Sequence, residues 1–464
     1  MSHRSNSSNP SSPEGHGSHH EAPRPRVEFT EHEILARPAA SSEIDSTSKA
    51  IEARPKILLL QHALLFDGNG DPPLEEQDVE IRNQTISAIG SHLPVAKDAM
   101  VIDLRGHSLL PGFIDSHVHM TGAPAKDYAT GVVRRISQNQ ADQALLGAKN
   151  ARDTLMAGFT TVRETGGSFA SRALRDAISK GWIDGPRMLV ANYAIGITGG
   201  HCDRTNGHHP DLFGGSPGIE QGIADGVDEV RKAVRYQIKH GADLIKICAT
   251  GGVLSRGDGA EAPQLTEAEM QAIVDEATRA GRKVAAHAHG NEGIRSAVKA
   301  GVASIEHGSV LDAPTIRLMK QNKTILVPTT YVGLWVEDLA RSGKLSQDSV
   351  AKALETGPLI RKSFKLAYDS GVTIALGSDA GVFHHGSNAK EFSTMVELGM
   401  NPMDAIVAGT KNAAQLLGIS NIGQIKVGYL ADIIAVEGNP LRNVQLLEQP
   451  VLIIKDGAIY KRPE

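Results

Sequence analysis

The feature that most constrains this chain is a long alternation of apolar, strand-like runs with amphipathic stretches of helical period. Runs of the first kind lie at GFIDSHVH (112–119), TTVRE (160–164), MLVAN (188–192), ADLIKICA (242–249), KVAAHAH (283–289), ASIEHG (303–308), TILVPTT (324–330) and TIALGSD (373–379). Between most of them stand segments such as DGVDEVRKAVRYQIKHGA and TEAEMQAIVDEATRAG, several ending on a glycine suited to a left-handed helix cap. Eight strand–helix repeats over about 310 residues predict an α/β fold of the (β/α)8 TIM-barrel type. A doubly wound open sheet is the competitor, but its GxGxxG phosphate turn after a first strand is missing.

The flanks differ in texture. KILLLQHALLFDG, DVEIRNQTISAIG and AMVIDLRGHSLLPG before the alternation, and VGYLADIIAVEG and PVLIIKDGAIYKR after it, read as short β segments. They predict a small β-sandwich built from both ends, residues 55–110 and 423–464, around a barrel at 111–422. Residues 1–54, rich in Ser and Pro and nearly free of apolar side chains, read as a disordered tail in which His16, His19 and His20 are solvated. The tail has neither the apolar core of a secretory signal nor the acid-poor composition of a transit peptide.

Composition excludes several classes. Lys+Arg 48 against Asp+Glu 53 leaves no basic footprint for nucleic acid or an anionic membrane surface. No apolar run near the start is long enough to span a bilayer. The two cysteines, Cys202 and Cys248, cannot make a disulfide framework; the expectation is a reducing, cytoplasmic setting with Cys248 a buried inert thiol.

Polar groups appear repeatedly at the C-terminal ends of the apolar runs. His117 and His119 end the first, with a two-residue spacing that turns both imidazoles to one side; His287 ends the fifth, His307 the sixth and Asp379 the eighth. Each alone is as compatible with a satisfied core side chain as with a metal ligand. Four strands delivering such groups to one face make coincidence improbable. Lys246 is the sharpest, since it sits between apolar neighbours where an ammonium loses its hydration. It is either an edge lysine with its stem along the surface or an amine that adds CO2 and becomes an anionic, bridging carbamate.

PGFIDSHVH, Lys246, HAHG, IEHG and GSDAG, framed by the two β pieces, resemble the amidohydrolase superfamily. ITGGH (197–201), KICATGGVLSRGD (246–258) and HAHGNEGI (287–294) carry a closer likeness to its metallo-carboxypeptidase and dipeptidase branch, which includes prolidase-like enzymes and ochratoxinase. The resemblance implies two divalent ions, usually Zn2+, with manganese, cobalt or iron as other candidates. His117, His119 and Asp379 would hold one and His287 and His307 the other, with an N6-carboxylated Lys246 shared. It implies further that Asp379 moves the proton and that His289 steadies the scissile carbonyl. His201, Arg163 and Arg256 are the candidates for binding the free carboxylate of a small-molecule substrate. The implied reaction is cleavage of an amide next to a C-terminal amino acid, in a dipeptide, an N-acyl amino acid or an ochratoxin-like N-aroyl phenylalanine. Opening of a cyclic amide, as by imidazolonepropionases and hydantoinases, and a non-catalytic scaffold are the rivals. A homo-oligomer, with an octamer as one form, is a further expectation from the resemblance.

Overall fold

The computed structural model describes residues 54–463 except 214 and 258, so the expectations for residues 1–53 lie outside it. The described residues form one compact unit. Strands β1 (Ile57–Leu65), β2 (Leu74–Arg82), β3 (Thr85–Gly90), β4 (Met100–Asp103) and β5 (His107–Pro111) precede the alternating region. Asn83 and Gln84 make the turn between β2 and β3, with Asn83 in the left-handed conformation (φ 55°) that such a turn requires.

In the alternating region β6 (Phe113–Val118), β7 (Phe159–Glu164) and β8 (Arg187–Val190) pair in parallel, as do β9 (Ile245–Cys248), β10 (Val284–Ala288), β11 (Ser304–His307) and β12 (Ile325–Val327). Strands β13 (Ile433–Glu437), β14 (Leu452–Lys455) and β15 (Ala458–Lys461) then return to β5, so both ends of the described chain meet in one eight-stranded sheet. That sheet buries its own core of Leu58, Leu60, Val79, Ile81, Ile433 and Ile454, separate from the larger core beneath the helices.

The helices begin and end where their sequences say. Glu267–Arg279 opens on a capping box between Thr266 and Glu269, and Asn291–Ala300 stops at Gly301 with φ 91°. One expected strand is irregular. Residues 373–379 form no regular strand; they meet Leu326 through an isolated bridge at Ile374 and β6 through Ser116 N–H to Leu376 O (2.9 Å) and Asp379 N–H to His117 O (2.8 Å). Gly377 accounts for the close approach, because a Cβ there would collide with Val327 and His117.

Candidate metal centre

The strand ends converge on one cavity of about 230 Å³, lined by His117, His119, His201, Lys246, His287, His289, His307 and Asp379. His307 (φ 70°) and Asp379 (φ 63°) hold left-handed backbone conformations that cost a non-glycine residue about 1–3 kcal/mol and tend to gather at functional sites.

The tautomers can be worked out from what each ring nitrogen faces. Gly166 O can only accept, so His119 Nδ1 at 2.6 Å donates to it, and Nε2 is left bare in the neutral ring. Glu306 Oε2 lies 2.8 Å from His117 Nδ1 and fixes that ring the same way. Both bare Nε2 atoms face Asp379 Oδ1, at 3.6 Å from His117 and 3.2 Å from His119. Asp379 Oδ1 is buried and accepts no hydrogen bond from a described residue. Three lone pairs aimed at one point repel unless a cation lies among them. The donor set therefore fits a divalent ion. A proton on His119 Nε2 would also relieve the repulsion: burial pushes the ring down, but the hydrogen bond that the protonated ring would give Asp379 and the charges of Asp379 and Glu164 outweigh it and raise the ring above its usual value.

Burial holds His117, His287 and His307 well below the usual histidine range, and like-charged neighbours push further in the same direction. These rings are neutral, the state a ligand needs. His287 Nε2 contacts Gly251 O at 2.9 Å and His307 Nδ1 contacts Thr329 Oγ1 at 2.8 Å, leaving one nitrogen of each for the cavity. Lys246 is 3% exposed, and its Nζ makes no hydrogen bond to another described residue. Burial draws its pKa down to about 8, while the charges of Glu306 and Asp379 oppose the shift. His289 packs among His287 and His307, with ring centroids 4.7 and 5.0 Å away, and could join them in holding an ion. Burial takes it down to about 3.

The chain belongs to the amidohydrolase family. The family model matches residues 108–460. Ochratoxinase from Aspergillus niger is 34% identical over 452 residues, covering 90% of this chain and 92% of that protein. A Xaa-Pro dipeptidase with methionine bound in its active site is 42% identical, covers 87% of this chain and all of the other, and superposes with a TM-score of 0.83. A prolidase complexed with N-methylphosphonate-L-proline is 30% identical at a TM-score of 0.79, covering 88% of this chain and 100% of that one. The chain is thus a hydrolase acting on C–N bonds, with the TIM-barrel-type fold of that family, and its His and Asp groups could hold metal.

For an amidohydrolase of this kind, three expectations need correction. Arg163 does not reach the cavity. It is buried beneath it, with Nε donating to Ser116 O (2.5 Å), Nη1 to Ser304 Oγ (3.0 Å) and Nη2 to Glu306 Oε1 (2.8 Å). The strand alternation explains this, since Arg163 pairs in register with β8 inside the sheet and finds a buried carboxylate across the barrel. Arg256 is exposed, lies over the Tyr128 ring at 5.7 Å, donates to its hydroxyl, and lines no part of the cavity. Cys248 is no inert thiol. It forms a disulfide with Cys202, across a Cα–Cα distance of 6.2 Å, and ties the His201 loop to the strand that carries Lys246. Cysteines 46 residues apart give no sequence signal of pairing.

His201 lines the cavity and stacks on His287, with centroids 4.1 Å apart. Sequence reasoning missed Glu306 and Asp115. Both are acids within apolar runs, the same signal that marked Lys246. Asp115, which burial drives up to about 6, receives Ser378 Oγ (2.5 Å) and Asn388 Nδ2 (2.9 Å), and so braces the segment that presents Asp379.

Proposed function

We propose that this chain is a two-metal hydrolase that releases a C-terminal amino acid from a dipeptide or N-acyl amino acid, ochratoxin-like N-aroyl phenylalanines included. The observation that carries the reading is the convergence of two bare His Nε2 atoms on Asp379 Oδ1, which has no donor among the described residues, in the cavity that the buried Lys246 also lines. More similar relatives add weight, since an ochratoxinase and a Xaa-Pro dipeptidase are 34% and 42% identical to this chain, against 24% for an imidazolonepropionase.

The mixed nitrogen and oxygen donors suit zinc. His117, His119 and Asp379 would hold one ion and His287 and His307 the other, with Lys246 between them as its carbamate. Such ions, when bound, polarise the scissile carbonyl and bring the pKa of water toward neutrality. The chain's own groups do the rest. The Asp379 carboxylate, through the oxygen that an ion would leave free, accepts a proton from the attacking water and returns it to the departing amine nitrogen. His289, kept neutral, takes the Ser309 hydroxyl on Nδ1 (2.5 Å) and can present Nε2–H to the carbonyl oxygen. His289→Ala protein that keeps about two ions per chain but loses turnover supports the donor role; loss of an ion would make His289 a ligand instead.

The test is a substrate panel of N-acyl amino acids, Xaa–Xaa dipeptides and cyclic imides, run with elemental analysis. Turnover of the first two groups with about two ions per chain is the expected result. Turnover confined to cyclic imides, or activity that survives metal removal, overturns the reading.

A further inference from the structure

The metal cavity opens in two directions of opposite chemistry. On one side Val253, Val332, Val336 and Ile360, most of them from the helices Thr330–Arg341 and Gln347–Asp369, make an apolar lobe. On the other, past Gly166 and Tyr193, lies a larger chamber of about 790 Å³ whose charged lining is Arg134, Arg135 and Arg204. Among the described lining residues of that chamber there is no Asp or Glu. Arg204 alone of the three lines both spaces.

The guanidinium groups divide by their donors. Arg163 is closed on Ser116, Ser304 and Glu306. Arg134 Nη1 and Nη2 are taken by the carbonyls of Pro124 and Ala123. Arg204 gives one Nη2–H to Gly167 O at 2.7 Å, while its Nε and Nη1 donate to no described residue. Its guanidinium carbon sits 5.6 Å from the Tyr193 ring centre, which with the Gly167 bond holds the fork in place. The site is also next to the chemistry. Gly166 O takes the His119 Nδ1–H and the following carbonyl, Gly167 O, takes Arg204, so one peptide unit separates a metal-facing imidazole from an open guanidinium edge.

Building on the amidohydrolase reading above, we infer that Arg204 is the specificity-determining residue: its free edge holds the carboxylate of the leaving amino acid, and the acyl group is directed into the apolar lobe. An immobilised fork matches a carboxylate bidentately and loses little side-chain freedom on binding. Arg135, whose guanidinium makes no hydrogen bond or ion pair with a described residue, adds positive field to the chamber and favours entry of anions. This selects substrates with a free carboxylate on the amine side and an uncharged, apolar acyl part.

The experiment compares an N-aroyl amino acid with its carboxamide on wild type, Arg204→Lys and Arg204→Met, with melting temperature and metal content measured for each. Wild type should prefer the acid by roughly thirtyfold or more. Arg204→Met should lose about a hundredfold in kcat/KM on the acid, mainly through KM, and change by less than about threefold on the carboxamide, so the preference collapses. Arg204→Lys should keep part of it, since the charge remains without the fork. Equal losses on acid and carboxamide, or an unchanged preference in a folded, metal-loaded Arg204→Met protein, overturn the inference and leave the amide-hydrolase reading standing. A wild type that hydrolyses neither compound but opens cyclic imides overturns the reading itself. Should Arg204→Met fail to fold, competition on wild type decides. A free amino acid should inhibit at least tenfold better than its amide, and equal inhibition counts against Arg204.

Discussion

The rim of the metal cavity and the layer directly beneath it are built from similar residues and behave in opposite ways. Beneath, Arg163, Glu306 and Ser304 close on one another, and Asp115 receives Ser378, Asn388 and two backbone N–H groups. At the rim, among the described residues, Asp379 Oδ1 has no donor and the buried Lys246 Nζ hydrogen-bonds no acceptor. His117 belongs to both, with Nδ1 tied downward to Glu306 and Nε2 turned up toward Asp379. The completed layer fixes orientation. The rim carries binding capacity that the protein itself leaves unmet, and an unmet buried group costs stability that a ligand can restore.

The largest effect that separates the layers is expected at Lys246. Lys246→Ala should lower kcat/KM by roughly a thousandfold or more, about 4 kcal/mol. In metal-stripped protein the same change should leave the melting temperature unchanged or raise it, because a buried amine without a partner is removed. Short-chain carboxylates should restore part of the activity. Full turnover in Lys246→Ala would reduce the rim to packing.

Arg163 tests the lower layer. Arg163→Leu leaves Glu306 buried without its cation and should cost about 3–5 kcal/mol, read as a lower denaturation midpoint. The double variant Arg163→Leu/Glu306→Leu should recover much of that loss, as removing both partners leaves no stranded charge. A stable Arg163→Leu protein with a lost preference for acid over carboxamide would put Arg163 in the cavity after all.

The same contrast explains what the sequence could disclose. His117, His119, Lys246, His287, His307 and Asp379 each stand where a polar residue breaks an apolar run, and all six line one cavity. The flanking β pieces were equally legible from their alternation and turn residues, and they meet in one sheet. Partner choice was not legible. Arg163 ends its run in the same manner as His117, yet whether it points at substrate or at Glu306 depends on a residue 143 positions away. Arg204 sits in a polar loop with no periodic pattern to mark it. Residues 373–379 read as a strand because their composition is apolar, while the left-handed turn at Asp379 interrupts the regular ladder.

The disulfide gives a smaller and different test. Cys202–Cys248 closes a loop of 46 residues and bears on His201 and Arg204 at the rim, with no link to the lower layer. Reduction by dithiothreitol, or the Cys202→Ser/Cys248→Ser pair, should cost about 2–4 kcal/mol and raise KM more than it lowers kcat. Thiol titration of the oxidised, unfolded protein should find none among these two positions. Two reactive thiols there would return Cys248 to the buried-thiol reading.

The finest test uses the acidity of Lys246 itself. An ammonium group cannot attack CO2; the neutral amine adds to it, and the adduct loses a proton to give the carbamate. A solvent-exposed lysine would keep gaining neutral amine up to about pH 10.4. Burial brings Lys246 down to about 8. The sign follows: below pH 8 each unit of acidification cuts the neutral fraction about tenfold, or 1.4 kcal/mol, and above 8 there is little left to gain. Protein stripped of metal and CO2, then given metal at fixed dissolved CO2, should therefore recover activity about ten times faster at pH 7 than at pH 6 and level off slightly above pH 8. His117, His287 and His307 sit well below their usual values and stay neutral across that range, whereas His119 is raised and its loss of a proton adds to the profile; only the Lys246 step depends on dissolved CO2, which separates the two. A rate still climbing at pH 10 would mean the reacting lysine is exposed. A flat rate from pH 6 to 8, indifferent to bicarbonate, would show that Lys246 serves the rim as an amine and not as a carbamate.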